Sequence, residues 1–232
     1  MKQYKPQRGE RAFCFSRSIQ LTQRKIKNMD KSSQERCIQC RLIIQDCVCR
    51  DISAFWTEHK ITLLTSKREE RIISNTGRML RWMLGNISPV YIGKKGWEEE
   101  VESEIARTDY TPVILFPTPS VCDGQIIMEE TGKPLNIFVL DTSWRNARRW
   151  LHKPVLMNLK KIGLETVSPS EYYLRKQSAE NYLCTFQAVT LLMAELRTKG
   201  FDSASLLINE KFRLWVKSLA RQRGLTITTT RH

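Results

Sequence analysis

The chain has 232 residues and a formal net charge of +14, a length that can bury one substantial α/β core with at most a small appendage. No apolar run approaches the length needed to cross a bilayer, which excludes a membrane-spanning protein and predicts a soluble, cytoplasmic one. The charge lies at the ends, since residues 1–50 hold 12 Lys or Arg against 4 acids and residues 197–232 hold 8 against 2. Basic ends around a balanced middle are typical of arms that bind a phosphate backbone; a solvated basic surface without a partner is the alternative.

The amino-terminal segment, residues 1–34, is basic and rich in Ser and Gln, and it predicts a loosely ordered tail. It lacks the apolar stretch of a secretory signal. A mitochondrial presequence has a similar composition, so composition alone leaves that alternative open.

Four of the seven cysteines fall within thirteen residues, as Cys37-x-x-Cys40 and Cys47-x-Cys49. Two short turns that each offer a pair of thiolates satisfy a tetrahedral zinc ion, so residues 35–52 predict a four-cysteine zinc knuckle. Disulfides compete with this interpretation, but a basic chain without a secretion signal indicates a reducing compartment. An iron–sulfur cluster is a weaker alternative. With four protein ligands the zinc would be structural and would perform no chemistry.

Residues 53–232 predict an α/β domain with a parallel sheet. Strands are predicted at 61–65, 89–93, 111–117, 135–140 and 153–159, from short branched and apolar runs. Helices are predicted at 74–84, 97–107, 144–150, 185–198 and 206–220, from apolar spacing and end signals. In the first of these helices, Ser74 or Asn75 would cap the amino end, and Gly77 would permit close backbone approach of a ligand or nucleic acid.

Asp141 follows the strand at 135–140, which is mostly branched and aromatic and is predicted to be buried on both faces. Open α/β sheets bind ligands at the carboxyl ends of their strands, so Asp141, Ser143 and Trp144 are candidate catalytic residues. The alternative is that Asp141 and Ser143 only cap the next helix. If Asp141 acts in catalysis alone, Asp141→Ala should abolish the reaction and leave folding nearly unchanged.

Three loops follow predicted strands, at 117–121, 141–144 and 167–176. The first contains two prolines and hydroxyl side chains, which suits a small-molecule pocket, although a plain β-turn explains it equally well locally. Beside the second, three arginines share one helix face and indicate a polyanionic substrate. They are Arg145, Arg148 and Arg149. The chain has no Gly-rich phosphate motif, which argues against a nucleoside-triphosphate enzyme.

Several blocks taken together resemble the DTW-domain family. They are the cysteine knuckle, Ser74-Asn75-Thr76-Gly77-Arg78, Leu115-Phe116-Pro117, Asp141-x-Ser143-Trp144 and Tyr173-Leu174-Arg175. The blocks keep the family's order and span most of residues 37–187. Two positions depart from the family pattern: Ser143 replaces the usual threonine, and Thr65-Ser66 stands where many relatives have His-Pro.

The resemblance implies a SPOUT-like domain with a C-terminal knot that binds S-adenosylmethionine. It implies transfer of the 3-amino-3-carboxypropyl group to N3 of a tRNA uridine, with Asp141 as the base or orienter and Trp144 holding the sulfonium by cation–π attraction. Arg175 would pair with the cofactor's carboxylate. The implied cofactor-binding residues are Leu115, Phe116, Pro117, Thr118, Pro119, Ser120, Asp141, Trp144, Ser168, Tyr173, Leu174 and Arg175. The expected RNA contacts are Arg78, Arg145, Arg148, Arg149 and the zinc knuckle.

Two alternatives remain at this point. One is a methyltransferase on the same scaffold, which would release adenosylhomocysteine instead of methylthioadenosine. The other is a zinc-containing RNA-binding protein without catalysis, in which Asp141 would serve only as a helix cap.

Overall fold

A computed structural model describes residues 19–23, 35–50, 52–117, 123–165, 170–175 and 182–229. Its strands are β1 (Ile19–Gln23), β2 (Lys60–Thr65), β3 (Ile87–Tyr91), β4 (Thr111–Leu115), β5 (Leu135–Leu140), β6 (Lys160–Ile162) and β7 (Leu225–Thr229). Its helices are α1 (Lys67–Arg71), α2 (Gly77–Met83), α3 (Trp97–Ile105), α4 (Gly124–Thr131), α5 (Trp144–Leu151), α6 (Pro154–Met157), α7 (Thr185–Glu195) and α8 (Phe201–Gln222).

Five strands form a parallel sheet in the order β3-β2-β5-β4-β6. The central strand β5 is buried at all six positions, as its mostly apolar sequence predicted. Its one polar residue, Asn136, accepts a hydrogen bond from Thr62 Oγ1 at 2.8 Å. In the register, Leu64 of β2 pairs with Leu140 of β5, and Leu115 of β4 pairs with Val139 of β5. The carboxyl ends of these three strands therefore meet at one edge of the sheet.

Helices cover both faces of this sheet. On one face, α2, α4, α7 and α8 bury their apolar side chains against β2, β4 and β5. On the other, α3, α5 and α6 pack against the opposite side chains of the same strands. This two-sided covering explains why the central strand carries no exposed polar face. Within the described residues no helix is both long and apolar enough to pass through a bilayer.

A second, two-stranded sheet joins the two ends of the chain. Strand β1 pairs antiparallel with β7, with Ile19 opposite Thr229 and Gln23 opposite Leu225. Strand β1 lies within the segment predicted to be a tail; the rest of residues 1–34 lies outside the described residues.

The strand predicted at 153–159 is wrong. The segment forms the short helix α6, and a strand begins only afterwards, at Lys160. Pro154 stands at the first turn of α6, where its missing N–H is not needed, and the carbonyl of Lys153 accepts hydrogen bonds from Leu156 and Met157 at 2.9 and 3.0 Å. A short apolar run has no periodicity that separates a strand from a buried helical turn.

His59 is a buried titratable group at the opposite edge of the sheet from the strand ends. Its side chain is 1% exposed, and its Nδ1 accepts a hydrogen bond from the backbone N–H of Leu135 at 3.2 Å. Burial lowers the pKa of His59, against a smaller opposing effect of Glu58. The folded protein therefore takes up a proton here less readily than the unfolded chain does.

We expect the free energy of unfolding to fall as the pH drops below the ordinary histidine pKa of about 6.5, because only the unfolded chain is then readily protonated at this site. His59→Asn should reduce this pH dependence. Urea unfolding of both proteins between about pH 7.5 and about pH 5 measures it. The exposed His152, changed to Asn, is the matched control. Equal pH dependence in wild type and His59→Asn would contradict the expectation.

Candidate active site and cysteine cluster

Asp141 lies where β2 and β5 end side by side. Its backbone N–H donates to the carbonyl of Leu64 at 2.8 Å, which continues the pairing of the two strands by one residue. Its side chain is only 3% exposed. The carboxylate is therefore held at the floor of the strand-end edge and does not extend into solvent.

Three side chains donate hydrogen bonds to the Asp141 carboxylate. Asn75 Nδ2 and Thr65 Oγ1 donate to Oδ2 at 2.7 and 3.2 Å, and Thr185 Oγ1 donates to Oδ1 at 2.9 Å. The alternative in which Asp141 caps α5 is thus wrong. Asp141 instead joins β2, the segment before α2 and the start of α7. Thr65, one of the departures from the family pattern, is part of this network.

Gly77 makes this arrangement possible. A Cβ atom on Gly77 would lie 2.4 Å from Cγ of Asp141, a separation that real Cβ atoms do not show. Gly77 was predicted to admit a ligand or nucleic acid, and what approaches it is the carboxylate of Asp141. Beside it, Asn75 Oδ1 accepts a hydrogen bond from the backbone N–H of Arg78, in the first turn of α2, at 2.8 Å. The N-cap position is Thr76, whose side chain makes no capping hydrogen bond, so the bond that was predicted for a cap comes from the residue before it.

Ser143 and Trp144 begin helix α5. Ser143 is its N-cap and accepts a hydrogen bond from the backbone N–H of Asn146 at 3.4 Å. Trp144 stacks on Tyr182 with ring centroids 4.1 Å apart, and its centroid lies 5.9 Å from that of Phe116. The three rings form an aromatic wall at the strand ends. Tyr182 was not predicted from the sequence. The only sequence signal for a role of Tyr182 is its position shortly before α7.

The segment from Tyr172 to Arg175 lies against residues 69–74. Tyr172 donates its hydroxyl to the carbonyl of Ser74 at 2.5 Å, and burial raises the pKa of Tyr172 to about 12. Arg175 forms an ion pair with Glu69 at 3.3 Å and donates from Nε to Ser74 Oγ at 3.4 Å.

Two polar atoms of this segment are buried without a hydrogen-bond partner among the described residues, namely Arg175 Nη2 and the Tyr173 hydroxyl. Burial raises the pKa of Tyr173, so its hydroxyl keeps its proton. Because a buried donor without a partner costs about 1–3 kcal/mol, such atoms mark a place where a ligand's acceptor atoms fit.

The other residues expected around a cofactor are partly described. Leu115 is buried at the end of β4, Pro117 is exposed, and Leu174 accepts a hydrogen bond from Arg223 at its carbonyl. Thr118, Pro119, Ser120 and Ser168 lie outside the described residues.

The predicted RNA-binding arginines occupy two different settings. Arg145, Arg148 and Arg149 are exposed on α5. Arg78 is half-buried and donates from Nη2 to the carbonyl of Glu70, and burial lowers the pKa of Arg78. Arg78 is thus partly an internal structural group.

Glu70 connects the cations of α1 and α2, a network that sequence analysis did not find. Its carboxylate accepts hydrogen bonds from Tyr91 at 2.6 Å and Arg81 at 2.8 Å, and Lys67 lies 3.3 Å away. Burial opposes ionisation, but these three partners outweigh it and bring the pKa of Glu70 down to about 2.

The four cysteines predicted as metal ligands come together. The sulfurs of Cys37 and Cys49 lie 3.8 Å apart, those of Cys40 and Cys47 lie 3.9 Å apart, and all four lie within 4.8 Å of one another. They are therefore placed to hold one metal ion.

The pKa values of these cysteine thiols are shifted in different directions. Burial raises the pKa of Cys40 to about 11, and burial together with the neighbouring thiols raises the pKa of Cys49. At Cys37 burial acts in the same direction, but the backbone N–H groups of Cys40 and Gln39 prevail and lower its pKa to about 7. Four thiolates so close together need a cation to balance their charge.

Comparison with known proteins agrees with this architecture. The model of the DTW domain matches residues 34–219. A protein of Drosophila melanogaster named tRNA-uridine aminocarboxypropyltransferase 2 is 23% identical over 175 residues, which cover 72% of this chain and 68% of that protein. No solved structure matches the chain. The match over most of its length shows that this chain belongs to the DTW-domain family.

Proposed function

We propose that this protein transfers the 3-amino-3-carboxypropyl group of S-adenosylmethionine to N3 of a uridine in tRNA. The observation that carries the proposal is the strand-end site. The Asp141 carboxylate and Arg175, whose Nη2 is unpartnered among the described residues, both contact residues 65–75, and the aromatic wall includes Trp144, three residues after Asp141. The relative named for this activity and the family membership support the same reaction.

The described residues fit the proposed cofactor. Arg175 Nη2 and the Tyr173 hydroxyl are buried donors that would hold a carboxylate. Trp144 and Tyr182 offer aromatic faces, which attract a sulfonium cation. When bound, S-adenosylmethionine would supply the 3-amino-3-carboxypropyl group and leave as methylthioadenosine.

Asp141, Ser143 and Trp144 would act on the reacting groups in different ways. Asp141 already accepts three hydrogen bonds from the protein, which favours orienting the uridine over removing its N3 proton; that proton would pass to solvent. Ser143 caps α5 through its oxygen, so its hydroxyl proton can be donated to a uracil carbonyl at the rim. Trp144 would hold the donor so that its reacting carbon faces N3.

The cysteine cluster would hold a structural zinc ion. Sulfurs at the corners of a tetrahedron around zinc lie about 3.8 Å apart when each Zn–S bond is about 2.3 Å. The two measured separations of 3.8 and 3.9 Å match this geometry. No position would remain for water, so the ion would stabilise the knuckle and take no part in transfer.

The proposal includes a SPOUT-like class with a C-terminal knot. Supporting it, β4, β5 and β6 are neighbours out of chain order, and the segment after β6 returns to the ends of the earlier strands, where Thr185 contacts Asp141. The exposed arginines of α5 would bind the tRNA backbone beside this site.

Mass spectrometry tests the reaction directly. Unmodified tRNA transcripts are incubated with the protein and S-adenosylmethionine, digested and analysed. We expect a uridine heavier by the aminocarboxypropyl group, with methylthioadenosine released in equal amount. A methylated base with adenosylhomocysteine would establish the methyltransferase alternative, and unchanged nucleosides would leave only RNA binding; either result overturns the proposal.

Arg175→Gln should weaken binding of S-adenosylmethionine roughly tenfold or more, because one charged hydrogen bond to the cofactor's carboxylate is lost. Isothermal titration calorimetry measures the dissociation constant. The control is Arg213→Gln, which removes an exposed arginine paired with Glu171 at 2.8 Å. If both variants bind the cofactor equally well, Arg175 has no part in holding it.

A further inference from the structure

Trp56 is an exposed indole held in a defined position. Among the described residues it is the one aromatic side chain in the set of exposed large apolar residues, and it is 75% exposed. The backbone of Phe55, the residue before Trp56, makes two hydrogen bonds. Its N–H donates to the carbonyl of Met83 at 2.9 Å, and its carbonyl accepts from the N–H of Gly85 at 2.7 Å. These two hydrogen bonds fix the position of the backbone that carries the indole.

Gly85 supports one face of this ring. A Cβ atom on Gly85 would lie 2.5 to 2.9 Å from Cδ2, Cε3 and Cε2 of Trp56, the atoms at the fused centre of the indole. The ring thus lies flat on the glycine backbone, and any larger residue at this position would displace it. One face of the indole is covered, and the large exposed fraction indicates that the other is open.

The position of Trp56 relative to the proposed active site is set by α2. The amino end of α2, at Gly77, touches the Asp141 carboxylate, and its carboxyl end leads to Gly85 under the indole. The seven residues of α2 span about 10 Å, and Gly85 lies two residues beyond them, beside Asn86 and His59 at the edge of the sheet opposite the strand ends. A few nucleotides of single-stranded RNA would cover this distance along α2. Arg78 and Arg81 lie between these ends, on the side of α2 away from its buried Met79 and Leu80.

We infer that Trp56 stacks on an unpaired base of the substrate RNA, a few nucleotides from the base that enters the Asp141 site. A flat indole with one open face suits a nucleobase, and single-stranded RNA is commonly held by such stacking together with cations along its backbone. The net charge of +14 favours an anionic partner over an apolar protein surface. This inference rests on the proposed function for its RNA substrate.

Filter binding of a radiolabelled oligouridylate tests the stacking. Trp56→Ala should weaken binding roughly tenfold, and Trp56→Phe should weaken it less because a ring remains. Gly85→Ala should resemble Trp56→Ala, because the new methyl group displaces the indole although Trp56 is still present. The double variant should bind no more weakly than Trp56→Ala alone.

Salt dependence separates stacking from charge. Because no phosphate contact is lost, the slope of log K against log salt should be the same in Trp56→Ala and wild type. The control Leu206→Ala removes another exposed apolar side chain, which is 79% exposed, and should leave RNA binding unchanged. Circular dichroism checks that every variant is folded.

Wild-type affinity in both Trp56→Ala and Gly85→Ala would overturn the inference, and so would a Trp56→Ala variant that changes only self-association in sedimentation. Failure of the proposed function is a different result: wild-type protein would leave tRNA unmodified while the Trp56 variants still lost RNA affinity.

Discussion

Cys40→Ala is expected to remove the proposed zinc ion and to lower the free energy of unfolding by about 5 kcal/mol or more, because a structural zinc ion would supply folding energy directly. The effect should reach beyond the knuckle. The carbonyl of Cys40 accepts the indole N–H of Trp215 at 2.8 Å, and Leu42 is fully buried in the core that includes α8. Loss of the proposed metal would therefore loosen the packing of helix α8.

Thermal melting and metal analysis of purified protein measure this effect. The expected fall in Tm is roughly 10 °C or more, and a chelator should reproduce it in the wild type. Cys184→Ala is the matched control, since Cys184 is also buried but lies outside the cluster. It should keep its metal and lose only about 1–2 kcal/mol. Wild-type protein that contains no metal and is unaffected by a chelator would refute the zinc site.

Features that depend on neighbouring residues in the chain were predicted from the sequence. The strand at β5 was identified because a six-residue block with five apolar residues ends at a polar turn, and the cysteine cluster was identified because its ligands are close in sequence. The prediction of a strand at 153–159 was wrong because it, too, relied on local sequence alone. Three consecutive apolar residues after a proline are compatible with a strand or a helical turn, and the choice is made by packing.

The candidate site was predictable at its centre and not in its surroundings. Asp141 could be found because it follows a buried strand, where α/β sheets bind ligands. Its partners Thr185 and Asn75 are 44 and 66 residues away in sequence, so no spacing rule brings them to it. No spacing rule predicts the contact of Tyr182 with Trp144 or that of Trp56 with Gly85 either. Tertiary contacts of this kind follow from the fold as a whole.

Asp141→Ala is expected to abolish transfer, and the structure also predicts a loss of stability, contrary to the expectation from sequence that folding would be unaffected. Removing the carboxylate leaves Asn75, Thr65 and Thr185 without the acceptor that they share in a buried site. Each unsatisfied buried donor costs about 1–3 kcal/mol, so the free energy of unfolding should fall by on the order of 3 kcal/mol. Urea denaturation measures the fall. The control Asp123→Ala removes an exposed N-cap of α4 and should cost about 1 kcal/mol without affecting transfer.

Asp141→Asn separates the charge of Asp141 from its role in holding the fold. The retained oxygen can still accept from Asn75 and Thr65, while the new amide can donate to the Thr185 hydroxyl, which can act as an acceptor. We therefore expect stability within about 1 kcal/mol of wild type and transfer reduced by roughly two orders of magnitude, because the negative charge proposed to orient the uridine is gone. The rate of aminocarboxypropyl-uridine formation, measured by mass spectrometry at saturating tRNA, decides the outcome. Full turnover in a stable Asp141→Asn protein would mean that Asp141 only joins β2, β5, α2 and α7, and the group that orients the uridine would have to be sought among the other residues of the strand-end edge.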